Sequence, residues 1–309
     1  MKGGGLPDLP AARSDAAAWQ RAIAARLRAA RVAFGHGAGS AAVEALWMVA
    51  HVLECSFDEL LADPGRLVPS RAASRLARLV ERRCRGRIPL AYLLGEAWLG
   101  PYRFAIDRRV IVPRSFIAFL LLERLQPWLP RPDATRRILD LCTGSGCLAI
   151  LAAHAFPQAR VDAVDLSRRA LAVAERNRRA HRVAGRVRLL EGDLFRPLAG
   201  RRYDLVLANP PYVDRAALRR LPPEYRTEPR LALDGGPDGL SFAHRILRAA
   251  AGHLRPGGWL VIEIGRHRRR LERAYPQLDF VWPAVPGGSG AVAMIAASGL
   301  AALSADAAS

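Results

Sequence analysis

The sequence predicts an α/β protein in which a doubly wound, mostly parallel sheet follows a small helical domain. Apolar and arginine positions recur at helical spacing before about residue 100, and after Arg136 short apolar runs alternate with helical stretches. A helix between successive strands is typical of a parallel sheet. With 309 residues, 51% of them hydrophobic, the chain is long enough for two domains and is unlike collagen, a coiled coil or a low-complexity protein.

The N-terminal part, residues 1–98, is predicted to form the helical domain. A glycine-rich GHGAGS stretch and a DPG turn separate its helices. The spacing of apolar residues predicts three helices, at 16–31, 40–52 and 69–85. Residues 99–135, which include the strand-like FAIDRRVIVP, are predicted to be a linker with short strands.

The second domain, residues 136–300, carries the alternating pattern. Its predicted strands are RILDL (137–141), VDAVDL (161–166), VRLLEG (187–192), YDLVLANP (203–210) and GWLVIEIG (258–265). The helices between them are predicted to begin near Gly146, Ser167, Arg215 and Leu240. A late GGSGAVAMIAA segment indicates a hairpin turn and a closing edge strand, and residues 301–309 are predicted to be a disordered tail.

The formal net charge is +19, and all but Lys2 of the 47 basic residues are arginine. The excess is not a basic tail or arm, because it continues through the second domain. Such uniform use of arginine is expected from a coding bias. Arginine also binds phosphate well, and positive charge suits a nucleic acid partner. Both explanations stay open at this point.

Cysteine and histidine usage indicates neither disulfides nor a metal site. The four cysteines show no metal-ligand spacing and the seven histidines do not cluster, so we expect reduced thiols in a cytoplasmic protein. The start of the chain lacks the apolar stretch of a signal peptide. A run of about 18 apolar residues, which a membrane span requires, does not occur in the sequence.

A glycine-rich turn, DLCTGSGC at 140–147, joins the first strand of the predicted sheet to its first helix. Glycine at 144 and 146 allows a ligand to approach the backbone at a helix N-terminus. Alone, such a turn also fits a tight connection without a ligand. Asp165 ends the next strand 21 residues after Gly144, where nucleotide sites place a carboxylate on ribose hydroxyls. The third glycine of dinucleotide sites is missing, which favours a ligand without a pyrophosphate.

The third predicted strand ends in EGDLF, which contains Asp193 and Leu194. Asp193 is placed to accept a hydrogen bond from an adenine amine, and Leu194 to pack on the ring. Each aspartate alone also fits an ordinary cap or turn. Acidic residues at the ends of three successive strands, beside a glycine turn, predict a nucleotide-like ligand at this edge of the sheet.

The fourth predicted strand ends in Asn209, Pro210, Pro211 and Tyr212. One group that these residue types suit is a planar amino nitrogen. Such a nitrogen is a poor nucleophile, because its lone pair is delocalised and must be oriented. The Asn209 side-chain oxygen and the Pro210 carbonyl can each accept one of two N–H bonds, which fixes the amino group. Prolines restrict the turn, and Tyr212 offers a ring face. An NPPY sequence in an arbitrary loop would be only a turn.

With this motif the sequence resembles the class I methyltransferases that use S-adenosylmethionine and act on planar amino nitrogens. Other segments resemble a narrower family, the protein-glutamine N(5)-methyltransferases: RIPLAYLLGEAW (87–98), VIVPRS (110–115) and EPRLALDGGPDGL (228–240). VPRS, together with FGHG (34–37) and EALWMVAH (44–51), is similar to the branch that methylates large-subunit ribosomal protein three. The resemblance extends from about Trp19 to Ile295.

The resemblance implies a seven-stranded class I sheet, S-adenosylmethionine as cofactor, and a role in ribosome biogenesis. It implies that the substrate glutamine lies on Asn209, Pro210, Pro211 and Tyr212, and that the helical domain recognises the protein substrate. Asp140 would lie near the amino-acid end of the cofactor. The implied cofactor residues are Asp140, Cys142, Thr143, Gly144, Ser145, Gly146, Asp165, Leu166, Asp193, Leu194 and Asn209.

Two alternative activities share the motif: glutamine methylation of peptide chain release factors, and amino-methylation of a base in RNA or DNA. The chain departs from the family at Phe116 and Phe119, where the family has a proline and an acidic residue. Glu263 either supports the site or pairs with an arginine. HRRRLER (267–273) is predicted to be a solvated helix face, with RNA contact as the alternative.

A ribosomal protein is itself expected to be basic, so charge attraction does not explain how it would meet this chain. The net charge therefore reflects either coding bias or weak contact with ribosomal RNA near the substrate, which would be met free or on an assembling particle.

Overall fold

The computed structural model describes residues 6–129 and 131–305, and its chain divides into two compact units. The helical unit contains the chain up to Glu96 together with Leu221–Thr227. The α/β unit contains Ala97–Arg220 and the chain from Glu228 onward. The sequence prediction did not foresee that a short segment beyond the NPPY motif would belong to the helical unit.

The helical unit contains the three predicted helices and two short ones. The helices are α1 (Ala16–Ala29), α2 (Ala41–Leu53), α3 (Phe57–Ala62), α4 (Ser70–Cys84) and α5 (Leu90–Leu94). Asp15 and Ser40 cap α1 and α2, and Ser56 forms a capping box with Glu59 at α3. Helices α3 and α5 are too short to show a helical period, so periodicity did not predict them.

A buried ion cluster joins Leu221–Thr227 to the rest of the helical unit. The Arg83 guanidinium is fully buried and donates to both Glu44 oxygens at 2.9 and 3.0 Å, to Glu224 at 3.3 Å and to the Ala33 carbonyl at 2.7 Å. Arg87 lies 3.0 Å from the same Glu224 carboxylate. Two arginines and two carboxylates balance in charge, which makes their burial tolerable.

Replacing Arg83 by alanine is expected to lower the free energy of unfolding by about 3–5 kcal/mol, because the buried carboxylates lose their main counter-ion. Denaturant unfolding measures this change. Arg85→Ala is the matched control, since Arg85 pairs with Glu81 on the exposed face of the same helix. Equal and small effects of the two substitutions would contradict the importance of the cluster.

The α/β unit is built on one large sheet. A two-stranded sheet of β1 (Glu96–Leu99) and β2 (Tyr102–Ala105) and helix α6 (Ile117–Leu122) precede it in the chain. The large sheet has the order β5-β4-β3-β6-β7-β8 and is parallel except for β8. Its strands are β3 (Arg137–Leu141), β4 (Arg160–Asp165), β5 (Val187–Glu191), β6 (Tyr203–Ala208), β7 (Leu254–Glu263) and β8 (Val292–Ala296).

Helices follow several of these strands, and the first four begin within one residue of the predicted positions. They are α7 (Cys147–Ala155), α8 (Arg168–Ala180), α9 (Arg215–Leu218), α10 (Ser241–His253), α11 (Arg268–Ala274) and α12 (Ala297–Ala305). Strand β3 pairs with β4 on one side and with β6 on the other, so the strand order reverses there. Ligands of doubly wound sheets bind in the crevice beyond the strand ends at such a switch point.

Two predictions for the end of the chain were wrong. The described residues form six strands in the large sheet, because the seventh is reduced to an isolated bridge between Val281 and Met294, close to Pro283, which has no N–H to donate. Residues 301–305 belong to α12 because Leu300 is buried and Leu303 packs on the core. The remainder of the predicted tail, 306–309, lies outside the described residues.

Within the described part of the chain, no helix has the length and apolar character needed to cross a bilayer.

Candidate active site

The glycine turn after β3 leaves space beside the backbone at the switch point. Gly144 and Gly146 have φ of +55° and +79°, in the left-handed region that favours glycine. A Cβ on Gly146 would lie 3.1 Å from the Ala174 Cβ, so this glycine lets α7 and α8 approach each other. A Cβ on Gly144 would meet nothing within 4 Å. The turn therefore presents bare backbone to an open volume, as a ligand site requires.

Asp165 is held against this turn at the end of β4. Its Oδ2 accepts from the Gly144 N–H and its Oδ1 from the Ser167 N–H, both at 2.8 Å. Burial raises the pKa of the carboxyl above its usual value, although both hydrogen bonds act in the opposite direction. The two residues that the sequence spacing paired are thus brought together.

Asp140 is a buried carboxyl with one oxygen satisfied and one not. Its Oδ2 accepts from the Thr143 hydroxyl and from the Ala149 N–H at 3.1 Å. Its Oδ1 is buried and has no hydrogen-bond partner among the described residues. Burial raises the pKa of Asp140 to about 7. An unpaired buried carboxylate oxygen is costly, so it marks a place where a ligand cation or N–H group would bind.

The remaining predicted cofactor residues surround the same strand ends. Leu166 is 53% exposed immediately after β4, and Leu194 is buried after β5 with a φ of +49°. Asp193 pairs with Arg245 at 2.6 Å, a partner that the sequence did not indicate. Burial raises the pKa of the Cys142 thiol far above its usual value, which disfavours the nucleophilic thiolate form. An adenine contact by Asp193 stays a prediction.

The NPPY segment follows β6 and is held from several sides. The Asn209 Nδ2 donates to the Arg114 carbonyl at 3.3 Å. The Tyr212 hydroxyl donates to Glu263 at 3.2 Å, and the Tyr212 carbonyl lies 2.9 Å from the His267 ring nitrogen. A Cβ on Gly265 would lie 2.8 Å from the Tyr212 ring, so glycine is required for this approach.

His267 corrects one sequence prediction. It was placed on a solvated helix face with the arginines that follow it, but it is only 6% exposed and bonds to the NPPY backbone. Burial lowers the pKa of its imidazole. Arg268, next in the chain, pairs with Glu272 and lies 4.8 Å from the Trp282 ring centroid.

Glu263 supports the site, which decides between its two sequence interpretations. Its Oε2 accepts from the Ser115 hydroxyl at 2.7 Å and from the Phe116 N–H at 2.9 Å. Burial raises the pKa of this fully buried carboxyl. Proline at position 116, as in the family pattern, would have no N–H to donate here. Phe119, the other departure, is 43% exposed.

Sequence reasoning missed a second carboxylate in this region. Glu228 accepts from both terminal nitrogens of Arg114, at 2.8 and 2.7 Å, and from the Val112 N–H at 3.0 Å. Both residues lay in the segments that carried the family resemblance. The 2.7–2.8 Å bidentate geometry is typical of a strong arginine–carboxylate pair.

Two segments of the chain match known protein families. Residues 118–221 match the family "Methyltransferase small domain", and residues 18–95 match "PrmC N-terminal domain". The chain is 52% identical over 265 residues to the ribosomal protein uL3 glutamine methyltransferase of Bordetella pertussis, covering 85% of this chain and 88% of that protein. It is 47% identical over 290 residues to the Burkholderia pseudomallei enzyme of the same name, covering 91% and 94%.

A third enzyme of that name, from Bradyrhizobium diazoefficiens, is 45% identical over 281 residues, covering 89% of this chain and 88% of that protein. The chain belongs to the ribosomal protein uL3 glutamine methyltransferase family. It is an enzyme that transfers methyl groups, and its methyl donor is S-adenosylmethionine. The resemblance inferred from the motifs is thereby confirmed.

The site of this uL3 glutamine methyltransferase family member fits the cofactor. S-adenosylmethionine carries an α-ammonium group, for which the unpaired Asp140 Oδ1 is a suitable acceptor. The open volume beside Gly144 accommodates a ligand against the backbone. Among the described residues, no group of three or more His, Cys, Asp or Glu side chains could hold a metal ion.

Proposed function

We propose that this protein transfers a methyl group from S-adenosylmethionine to the side-chain amide nitrogen of a glutamine in ribosomal protein uL3. The observation that carries the proposal is the orientation of Asn209. Its Nδ2 donates to the Arg114 carbonyl, so its Oδ1 is the atom left to accept from a substrate amide. The shared name of relatives 45–52% identical to this chain supports uL3 as the substrate.

The residues of the NPPY segment explain how an amide nitrogen becomes reactive. Asn209 Oδ1 and the Pro210 carbonyl each accept a hydrogen bond from one N–H of the substrate amide. These two bonds fix the direction of the nitrogen lone pair. Tyr212 is held by Glu263 and offers its ring to the planar amide. When bound, S-adenosylmethionine supplies an electrophilic methyl group on a sulfonium.

A dedicated general base is not required by this arrangement. Transfer would break the bond between the methyl group and sulfur, which keeps the electron pair, as the nitrogen–carbon bond forms. The nitrogen would gain positive charge and become strongly acidic, so one of its protons would leave to water. The chain's contribution is to orient the amide and to hold acceptors where positive charge develops on the N–H groups.

Methyl transfer from tritiated S-adenosylmethionine to purified candidate substrates tests the proposal. Ribosomal proteins, release factors and RNA from a strain that lacks this gene are incubated separately with the enzyme. We expect label on uL3, mapped by mass spectrometry to one glutamine-containing peptide. Label on a release factor, or label in RNA that resists protease, would instead support one of the two alternative activities.

We also propose that the enzyme acts in the cytoplasm and contacts ribosomal RNA weakly when uL3 is on an assembling particle. The net charge of +19 supports this contact, as do exposed arginines along α8 and just after it: Arg168, Arg169, Arg176 and Arg182. Methylation of uL3 on precursor particles should then fall steeply with salt, whereas methylation of free uL3 should not. Equal salt dependence would leave coding bias as the explanation.

A further inference from the structure

The segment 112–116 contacts the NPPY turn, and Glu228 binds the start of this segment through hydrogen bonds. One carboxylate oxygen of Glu228 accepts from the Val112 N–H and from Arg114 Nη1, and the other accepts from Arg114 Nη2. The Glu228 side chain is fully buried, so these charge-assisted bonds are shielded from water.

Glu263 binds the other end of the same segment through hydrogen bonds. Its Oε2 accepts from the Ser115 hydroxyl and the Phe116 N–H, while its Oε1 accepts from the Tyr212 hydroxyl. A single carboxylate therefore ties the segment to the last residue of the NPPY turn. The Phe116 ring adds to this hold, because it fills the space where a Gly288 side chain would begin.

The Arg114 carbonyl lies between the ends bound by Glu228 and Glu263, and it accepts a hydrogen bond from Asn209 Nδ2. A carbonyl oxygen only accepts hydrogen bonds, so it must face the NH₂ end of the Asn209 amide and turn Oδ1 away. This bond is 3.3 Å long, which is weak by itself. Its effect on Asn209 therefore depends on the segment staying in place.

We propose that Glu228 and Glu263 are positioning residues: by holding 112–116, they keep the Arg114 carbonyl where it fixes Asn209 Oδ1 toward the acceptor nitrogen. That this nitrogen receives the methyl group rests on the proposed function, whereas the orientation of Asn209 does not. If the Asn209 amide were reversed, its NH₂ would face the NH₂ of the substrate, and neither group can accept from the other.

The two carboxylates should respond differently to replacement by glutamine. In Glu263→Gln the amide oxygen can still accept from Ser115 and Phe116, and its NH₂ can donate to the Tyr212 oxygen, since a hydroxyl also accepts. In Glu228→Gln the NH₂ group faces a guanidinium that only donates. Glutamine should therefore restore function at position 263 but not at 228.

Kinetics with uL3 and S-adenosylmethionine measure this difference. We expect Glu263→Ala and Glu228→Gln to lower kcat about 10²-fold and Glu263→Gln less than about tenfold, with KM and cofactor Kd changed less than about threefold. Asp162→Asn is the control, since Asp162 also binds a tyrosine hydroxyl and an arginine but lies elsewhere in the sheet. A Glu263→Ala enzyme with kcat within about threefold of wild type would overturn the proposal.

A second measurement needs no turnover, so it separates this proposal from the proposed function. The chain has two asparagines, Asn177 and Asn209, and ¹⁵N-asparagine labelling gives one side-chain amide signal pair for each. Asn177 Nδ2 donates to the Ala105 and Ser145 carbonyls and serves as the internal control. In Glu263→Ala, exchange of the Asn209 NH₂ with water should accelerate about tenfold or more while Asn177 is unchanged. Unchanged Asn209 exchange, or equal acceleration at both residues, would overturn the proposal.

Discussion

Replacement of Asn209 by alanine is expected to abolish measurable turnover, with kcat lowered by about 10³-fold or more. The substitution removes one of the two acceptors that orient the substrate amide, the one whose direction the Arg114 carbonyl fixes. S-adenosylmethionine binding should remain measurable by titration, because the glycine turn, Asp140 and Asp165 stay in place. Single-turnover methylation of uL3 and cofactor titration are the two measurements.

Asn209→Asp sharpens this test, because it keeps the shape of the side chain. The oxygen that replaces Nδ2 would face the Arg114 carbonyl oxygen, and two acceptors repel each other. We therefore expect a loss close to that of Asn209→Ala. Near-normal turnover in Asn209→Ala would contradict the role of this residue, and near-normal turnover in Asn209→Asp would contradict the role of the Arg114 carbonyl.

The affinity for S-adenosylmethionine is expected to increase as the pH rises from about 5.5 to 7. Burial raises the pKa of Asp140 to about 7, so below this pH the carboxyl is neutral and cannot pair with the cofactor's ammonium. An α-amino group stays protonated until about pH 7.7, so the cofactor's ammonium keeps its charge throughout this range. Well below pH 7, the Kd for S-adenosylmethionine should rise about tenfold for each unit by which the pH falls.

Asp140→Asn should remove this pH dependence and raise Kd about 10²-fold at pH 7.5, since it removes one member of a buried charge pair. Asp133→Asn is the control, because Asp133 is a largely exposed carboxylate outside the site. Isothermal titration across the pH range measures both variants. A wild-type Kd that does not change between pH 5.5 and 7 would contradict the assignment of Asp140.

Much of the α/β unit could be predicted because its signals are local. Strand β3 was predicted with the bounds that the structure shows, and the four helix starts predicted in this unit differ by one residue at most. Strand, turn and helix follow one another within a few residues, so composition and spacing reveal them. Strand β7 begins four residues before the prediction, at Leu254, and its first residues include Pro256 and Gly257, which are uncommon inside strands.

The contacts that hold the site together could not be predicted in this way. Glu228 and Val112 are 116 residues apart, and Glu263 and Ser115 are 148 apart. Such pairs depend on which strand ends and loops meet after folding. The same reason explains why Glu224, which the sequence prediction included in the second domain, is a buried partner of Arg83 in the helical unit.

The chemical position of the transferred methyl group distinguishes methylation of a glutamine amide from the alternative reactions. Purified uL3 is labelled with tritiated S-adenosylmethionine, separated from the enzyme and hydrolysed in acid. A methyl group on a glutamine amide nitrogen leaves as volatile methylamine while the residue becomes glutamate. We expect the label to be recovered as methylamine, and we expect none from Asn209→Ala. Label recovered as methanol, from a carboxylate ester, or as a methylated base would contradict it.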